Sequence, residues 1–192
     1  EAGSFLPRNN TSYLAVMEQT IKAVVNASAK LSARQHGALI ILQRMDNLRD
    51  FEKTGVSMDA NVTPELLLQI FYPNTPLHDG AAIVNEGKIV AAACVMPLSA
   101  SGILRTPERQ MGLRHRAALG ISEASDAIAV VVSEETGSIS IAHGGRMIRR
   151  LDTERLENIL KAFYRPTTLP KTTAGWVKRF LPFLSSKDRE ED

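Results

Sequence analysis

The chain has 192 residues, of which 44% are hydrophobic and 23% charged, a globular composition that excludes a disordered or collagen-like chain and fits one domain with appendages. Its formal net charge of +2 is too small to indicate a nucleic-acid-binding surface, so no nucleic-acid partner is expected. The longest apolar runs fall short of the roughly 20 residues that a membrane-spanning helix requires, and the single cysteine, Cys94, excludes an intrachain disulfide and a cysteine-based zinc cluster.

The first half of the chain predicts two helices with a buried strand between them. Apolar residues at three- and four-residue spacing behind polar capping candidates indicate an amphipathic helix over residues 12–33. An apolar run over residues 38–43 then predicts a buried strand. Thr63 as N-cap and Pro64 at the first helical position predict a second helix that ends at Phe71. Helices and strands therefore alternate from the start.

The second half predicts two strand pairs and a last helix. Each pair consists of two apolar runs joined by a short polar turn, and the runs are 81–84 with 89–96, and 126–133 with 138–142. Thr153 is predicted to cap a helix that runs from Glu154 to Tyr164. Strands joined both by helices and by tight turns predict a mixed β-sheet with helices packed on it, hence an α/β or α+β fold rather than a purely parallel, doubly wound sheet.

A histidine and an aspartate stand together where the chain enters the first of these strand pairs. Gly80 leads from His78 and Asp79 directly into the apolar run, so both polar side chains are expected near the mouth of a strand. Such a pair can bind a divalent cation or deprotonate a hydroxyl group. Alternatively, Asp79 only caps a turn, or the pair is that of a metal phosphohydrolase, although in those enzymes the dipeptide lies within helices.

A basic segment precedes the second strand pair. Residues 99–116 contain one acid, Glu108, and four arginines, which are Arg105, Arg109, Arg114 and Arg116. One guanidinium group can donate hydrogen bonds to two phosphate oxygens at once. A helix that starts after Gly112 would add the free N–H groups of its N-terminus. The segment therefore predicts an anion site. Side chains two residues apart in a helix point about 200° apart, so Arg114 and Arg116 could share a ligand only in the opening turn. The alternative is a solvated basic turn, with His115 as a packing or orienting residue.

Ser133, Glu134 and Glu135 follow the apolar run of the second strand pair. One interpretation is that they are exposed polar residues of a hairpin turn without a functional role. The other is that they belong to a larger set, in which Asp79 and Glu135 hold a metal while Ser133 and the arginines hold phosphates. That set is typical of phosphoryl or nucleotidyl transfer, where positioning and charge neutralisation supply most of the catalysis. The sequence contains no Walker motif and no Gly-x-Gly-x-x-Gly, which disfavours the nucleotide-binding folds that those motifs mark.

Four segments, in one order, resemble the diadenylate cyclase domain, and in particular its membrane-associated bacterial class. The segments are 77–81, 91–99, 114–123 and 132–137, and the likeness runs without large gaps from about Leu14 to about Leu160. The resemblance implies that two ATP molecules condense to cyclic di-AMP and two pyrophosphates. It also implies a homodimer or higher homo-oligomer in which two domains meet face to face with one ATP each, and a mixed, twisted sheet flanked by helices on both faces.

The resemblance further implies roles for individual residues. Asp79 would coordinate Mg²⁺ or Mn²⁺ and help to activate the 3′-hydroxyl, with His78 and Glu135 as further metal ligands. The implied catalytic residues are Asp79, Gly80, Arg114, His115 and Arg116. The implied ATP-binding residues are Gly80, Ala81, Met96, Leu113, Arg114, Arg116, Ser133 and Glu135. Among these, the backbone of Met96 would meet the adenine, and Gly80 would permit close approach of the nucleotide.

One position departs from the family pattern. Leu113 occupies the place of a threonine that usually precedes Arg-His-Arg and would reach the phosphates, so weaker ATP binding is expected, with Arg105 or Arg109 compensating. If Leu113 disables the triphosphate site, the alternative is a catalytically weak nucleotide-binding or interaction module of the same fold.

The ends of the chain are interpreted as appendages to a catalytic domain spanning residues 12–164. Residues 1–11 form a lead-in without an initiator Met, and residues 165–192 form an appendage with a short apolar group around Trp176. In the membrane-associated class, several transmembrane helices precede the catalytic domain. We therefore expect a missing N-terminal segment that tethers a cytoplasmic catalytic domain to the bacterial cell membrane.

Overall fold

A mixed, seven-stranded β-sheet forms the centre of the residues described by this computed structural model, 10–100 and 111–164. Its strands are β1 (Ala38–Leu42), β2 (Val56–Asn61), β3 (Ala81–Asn85), β4 (Lys88–Cys94), β5 (Ile128–Val132), β6 (Ile139–His143) and β7 (Arg146–Leu151). They lie in the order β2-β4-β3-β1-β5-β6-β7. β1 and β3 are parallel, and every other neighbouring pair is antiparallel. The predicted mixed sheet and both antiparallel strand pairs are confirmed.

Helices cover both faces of the sheet, as predicted. They are α1 (Asn10–Arg34), α2 (Arg49–Glu52), α3 (Pro64–Ile70), α4 (Leu113–Ala124) and α5 (Thr153–Tyr164). One core lies between the sheet and α1, α3 and α5 and includes Ile40, while the other lies beneath α4 and includes Leu39 and Ile41. Alternate residues of β1 therefore enter opposite cores, which explains why a strand buried on both faces is a continuous apolar run. Cys94 is buried in the second core, and burial raises the pKa of its thiol to about 11.

The predicted start of α3 is confirmed, but the predicted cap of α5 is wrong. The Thr63 hydroxyl accepts a hydrogen bond from the N–H of Leu66 at 3.2 Å. In α5 it is Asp152 that caps, because its Oδ1 accepts from the N–H of Arg155 at 2.7 Å, and Thr153 is the first helical residue. Both residue types are good N-caps, and the end of β7 at Leu151 leaves Asp152 as the residue at the junction.

The sequence did not predict the two outer strands, β2 and β7, or the short helix α2. β2 is mostly exposed, and β7 contains three exposed arginines, so neither shows the apolar pattern of a buried strand. Both lie at sheet edges, where charged residues are tolerated and limit pairing with other chains.

Strand direction brings segments that are distant in the chain to one edge of the sheet. β1 and β3 begin there, whereas the antiparallel β4 and β5 end there, with Ala38 opposite Val132 and Ala81 opposite Cys94. This edge is called the site edge below, and it carries Gly37, His78, Asp79, Gly80, Met96, Ser133, Glu134 and Glu135. The N-terminus of α4 follows Gly112.

Several predicted features lie outside the described residues. These are most of the lead-in, Arg105 and Arg109, and the C-terminal appendage with Trp176. Within the ranges that the structure describes, no helix combines the length and the apolar character needed to cross a membrane.

Candidate active site at one edge of the sheet

Arg114 joins three strand ends at the site edge. Its Nη1 donates to Oε2 of Glu134 at 2.6 Å, after β5, and its Nη2 donates to the carbonyl oxygen of His78 at 3.3 Å, before β3. Gly37, before β1, leaves the space for this pairing, since a Cβ atom there would lie 2.6 Å from Nη1 and 2.9 Å from Oε2 of Glu134. The predicted basic residue at the helix start therefore lies beside both predicted acidic segments. Sequence reasoning did not assign Glu134 or Gly37 to the site.

The guanidinium of Arg114 keeps one buried donor without a partner. Among the residues that the structure describes, its Nε is buried and makes no hydrogen bond, and the side chain is 21% exposed. Its partner Glu134 is 64% exposed and open to water. An anion that displaces this carboxylate would meet a fixed, partly desolvated guanidinium, the arrangement that favours charge-assisted hydrogen bonds.

His78 is oriented by its own loop. Its Nδ1 lies 2.5 Å from the carbonyl oxygen of Thr75. Because a carbonyl can only accept, Nδ1 carries the hydrogen, and in the neutral ring Nε2 keeps its lone pair. A histidine whose second nitrogen bonds a backbone carbonyl has the usual arrangement of a metal ligand. Asp79 is exposed beside it, and within the described ranges no hydrogen bond or ion pair engages its carboxylate. The interpretation of Asp79 as a turn cap therefore has no support in this structure.

Gly80 turns the chain from Asp79 into β3 in a conformation and a space that only glycine tolerates. Its φ is +122°, and a Cβ atom would lie 2.7 Å from the carbonyl carbon of Ala93 and 2.9 Å from the oxygen of Cys94. In this structure the close approach at Gly80 is thus to the backbone of β4. Ala81, which follows, is fully buried in β3, so it could meet a nucleotide only through its backbone.

The N-terminal turn of α4 carries the predicted anion-binding residues, but their side chains diverge. The N–H groups of His115 and Arg116 bond the carbonyl of Gly112, and the N-cap has no side-chain partner among the described residues. Nε of Arg116 donates to the carbonyl oxygen of Ser99 at 3.3 Å, away from the partners of Arg114. Both arginines lie in the opening turn, as predicted, but their guanidinium groups bond different partners.

Leu113, the first residue of α4, is 68% exposed. It therefore does not pack under the start of the helix. Its place beside Arg114 leaves it open to a ligand at the site edge. Met96, by contrast, is 6% exposed, so the adenine contact expected there would involve mainly backbone atoms.

His115 lies among charges from two other elements. Burial, and secondly the positive charge of Arg149 on β7, lower the pKa of His115, while the negative charge of Glu135 opposes them. The imidazole is therefore neutral at pH 7. Sequence reasoning missed Arg149, because β7 itself was not predicted.

Two of the three predicted metal ligands are adjacent, and the third is apart from them. No three His, Cys, Asp or Glu side chains within residues 10–100 and 111–164 group closely enough to hold a metal ion, so Glu135 does not complete a cluster with His78 and Asp79. A magnesium ion that accompanies a nucleotide takes one or two protein ligands and completes its shell with phosphate oxygens and water. The Nε2 lone pair of His78 and the Asp79 carboxylate fit that requirement.

Comparison with known proteins gives one consistent result. The pattern of the DAC family, described as DisA bacterial checkpoint controller nucleotide-binding, matches residues 25–147. Cyclic di-AMP synthase CdaA of Bacillus subtilis is 40% identical over 177 residues, which cover 92% of this chain and 64% of that protein. A diadenylate cyclase of Listeria monocytogenes is 44% identical over 140 residues, 73% of this chain and 50% of that protein. The chain thus spans between half and two thirds of these relatives.

Solved structures agree in fold. The crystal structure of DacA from Staphylococcus aureus superposes with a TM-score of 0.71 at 43% identity and covers 78% of this chain and 97% of that one. A hypothetical membrane spanning protein from Bacillus cereus gives a TM-score of 0.66 at 44% identity, with coverage of 73% and 68%. At these identities and TM-scores, both solved structures support the α/β fold of this chain.

Proposed function

Because the chain belongs to the DAC family of nucleotide-binding domains, we propose that it condenses two ATP molecules into cyclic di-AMP and releases two pyrophosphates. The observation that carries this proposal is the meeting of Arg114, the His78–Asp79 loop and the Ser133–Glu135 turn at one edge. At that edge an arginine that can bind phosphate lies next to a histidine and an aspartate that can bind a metal ion. Nucleotidyl transfer requires both kinds of group side by side.

The triphosphate is bound by the start of α4 and the turn after β5. Arg114 and Arg116 bracket it, and the helix N-terminus adds N–H groups and a partial positive charge. The oxygen of the Ser133 hydroxyl accepts from the N–H of Thr136 at 3.3 Å, so its hydrogen remains available to donate to a phosphate oxygen. His115 is neutral and orients this turn rather than adding charge.

The attacking 3′-hydroxyl lies at the mouth of β3. His78 and Asp79 would hold Mg²⁺ or Mn²⁺ there, and phosphate oxygens and water would complete the shell of the ion. Such an ion lowers the pKa of a bound hydroxyl and neutralises phosphate charge. Asp79 accepts no hydrogen bond within the described ranges, so its carboxylate is available to both the ion and the hydroxyl.

Two chains complete the reaction. One site edge holds one ATP, and each 3′-hydroxyl must attack the α-phosphate of the other nucleotide. We therefore propose a face-to-face homodimer, or a higher homo-oligomer built from such pairs. We also propose that the whole protein is tethered to the bacterial membrane, with this domain on the cytoplasmic side, a proposal supported by the likeness to a protein described as membrane spanning.

The test is to incubate the protein with ATP and Mn²⁺ and identify the product by mass. We expect cyclic di-AMP and two pyrophosphates for each cyclic product. Linear dinucleotide, AMP or no product would contradict the proposal.

Asp79→Asn is the matched control for this experiment. The substitution removes a metal-binding charge without changing side-chain volume. Because the carboxylate is exposed, the protein should fold normally. Product formation should fall at least about 100-fold, the rate effect of losing one catalytic group. Thermal unfolding checks the fold. Product formation within a factor of two of the parent would remove Asp79 from the catalytic set.

A further inference from the structure

The outer strand β7 is irregular where it reaches the site edge. Three residues of β7 span the same stretch as two residues of β6, and the extra residue falls at Arg149 and Arg150. Arg150 has a φ of +57°, a conformation that non-glycine residues rarely adopt. Such a bulge bends an edge strand and re-aims a side chain, and bulges recur beside active sites.

Arg149 lies on the face of the sheet that carries α4. Met147, two residues earlier, packs in the core beneath α4, and alternate residues of a strand share a face. The effect of Arg149 and Glu135 on the pKa of His115 places these charges around the first turn of α4. β6 begins at the site edge and β7 is antiparallel to it, so the Arg149 end of β7 returns to that edge.

Arg149 has no protein partner among the described residues, in contrast to the two arginines of α4. Arg114 pairs with Glu134, and Arg116 donates to Ser99, whereas no ion pair or hydrogen bond engages Arg149 within the described ranges. It is also exposed, so an anion can reach it.

The strand order gives the nucleotide a direction along the edge. With the base at Met96 after β4 and the sugar at Asp79 before β3, the phosphates extend past β1 towards Ser133 after β5. Strands lie about 4.8 Å apart, so β7 is only about 10 Å beyond β5. An extended arginine at that distance meets the far end of the triphosphate rather than the α-phosphate.

We propose that Arg149, through its place on the bulge of β7, binds the β- and γ-phosphates of ATP. This inference rests on the proposed function, in which the 3′-hydroxyl of the other nucleotide gives its proton to Asp79 and its oxygen bonds the α-phosphorus. The bond between that phosphorus and its bridging oxygen breaks, and pyrophosphate leaves with the electron pair. The guanidinium stabilises the charge on that leaving group.

The test compares Arg149→Gln with Arg146→Gln and with Arg149→Lys. Arg146 lies at the other end of β7, opposite His143, and is equally exposed, so it is the matched control. Each protein is titrated calorimetrically, with Mn²⁺ present, with 3′-deoxy-ATP, which cannot cyclise, and with AMP, which lacks the β- and γ-phosphates.

We expect Arg149→Gln to weaken binding of 3′-deoxy-ATP about tenfold, the effect of losing one charge-assisted contact, and to leave AMP binding unchanged. Arg146→Gln should match the parent, and Arg149→Lys should recover part of the loss because it keeps the charge. Inhibition of product formation by added pyrophosphate should weaken in Arg149→Gln alone.

Unchanged binding of 3′-deoxy-ATP in Arg149→Gln would overturn the inference, as would an equal loss for AMP, which would indicate a structural role. If the parent makes cyclic di-AMP and Arg149→Gln behaves like it, this inference alone fails. If the parent binds 3′-deoxy-ATP through Arg149 but yields no cyclic di-AMP, the proposed function fails and the phosphate site stands. A parent that binds neither nucleotide overturns both.

Discussion

Leu113 is an exposed leucine at the position where the family pattern has a threonine. It is 68% exposed and begins the helix that carries Arg114, so a substitution there changes the ligand side of the helix with little effect on the core. A hydroxyl at this place could donate to a triphosphate oxygen, as the threonine of the family pattern is expected to do. The leucine forfeits that bond, which is worth roughly 1.5 to 3 kcal/mol when the acceptor is charged.

Leu113→Thr should therefore tighten binding of 3′-deoxy-ATP, by up to about tenfold for each 1.4 kcal/mol recovered. Calorimetric titration with Mn²⁺ measures the effect. Leu113→Val is the control, because valine has the branched shape of threonine without its hydroxyl. Equal affinities for the Thr and Val variants would show that the hydroxyl contributes nothing at this position.

His115 gives the protein a pH dependence of predictable sign. Burial first, and then the charge of Arg149, lower the pKa of His115 in the folded protein below the value of about 6.5 in the unfolded chain. As the pH falls through 6.5, the unfolded chain binds a proton before the folded protein does, so the free energy of unfolding decreases. Well above pH 6.5 the imidazole is neutral in both states and contributes no pH dependence.

The difference in stability between the parent and His115→Gln isolates this effect, because all other titrating groups are common to both. Chemical denaturation without metal or nucleotide, between pH 7.5 and 5.5, should show the parent losing stability relative to the variant below pH 6.5. A constant difference across that range would mean that the ring titrates normally in the folded protein.

At the scale of elements, the buried strands could be predicted from the sequence, whereas the exposed edge strands could not. β1 and α3 were predicted because a strand buried on both faces is continuously apolar and because Thr63 and Pro64 mark a helix start. β7 was not predicted, because its arginines are exposed at the sheet edge. Arg149, whose charge acts on His115, was therefore missed as well.

For the candidate site, the sequence predicted the types of residue but not which side chains pair. The sequence placed an arginine and two carboxylates near each other but favoured Glu135 as the functional acid, while Glu134 is the one that holds Arg114. Adjacent carboxylates are chemically equivalent in a sequence. Only the geometry of the turn after β5, where Gly137 has a φ of +68°, decides which of them faces the helix.

The junction between the His78–Asp79 loop and β3 depends on Gly80 for two separable reasons. Its backbone is in a conformation that favours glycine, and a Cβ atom would strike the backbone of β4. Gly144 has a φ of +57° but would place a Cβ atom in open space, at least among the residues described. Comparison of alanine variants at the two positions therefore separates strain from steric overlap.

Gly144→Ala should cost about 1 to 2 kcal/mol of unfolding free energy, the strain of an alanine in the left-handed region. Gly80→Ala should cost about 1 to 3 kcal/mol more, because backbone of β4 must move. Urea denaturation measures both. If both variants lost the same unfolding free energy, the backbone at the β3–β4 junction would move at little cost, and the φ of Gly80 alone would explain the need for glycine.

At the scale of the whole molecule, the mixed strand directions in the described part of the sheet create the site edge. In a purely parallel sheet, one edge carries only strand beginnings and the other only strand ends. Here β1 and β3 begin where β4 and β5 end, so loops of both kinds share one edge. The fold thereby places the His78–Asp79 loop, proposed to hold the hydroxyl, next to the start of α4, proposed to hold the triphosphate. Each chain supplies one such edge within its described residues.

A ring of two nucleotides needs two such edges, so activity should depend on association between chains. Specific activity should rise with protein concentration in the range where sedimentation shows a shift from monomer to dimer. Excess Asp79→Asn added to a fixed amount of parent should lower the parent's output, because mixed dimers hold two nucleotides but only one activated 3′-hydroxyl. Independent monomers would be insensitive to that addition and would keep a constant specific activity on dilution, and either result would contradict a reaction shared between two chains.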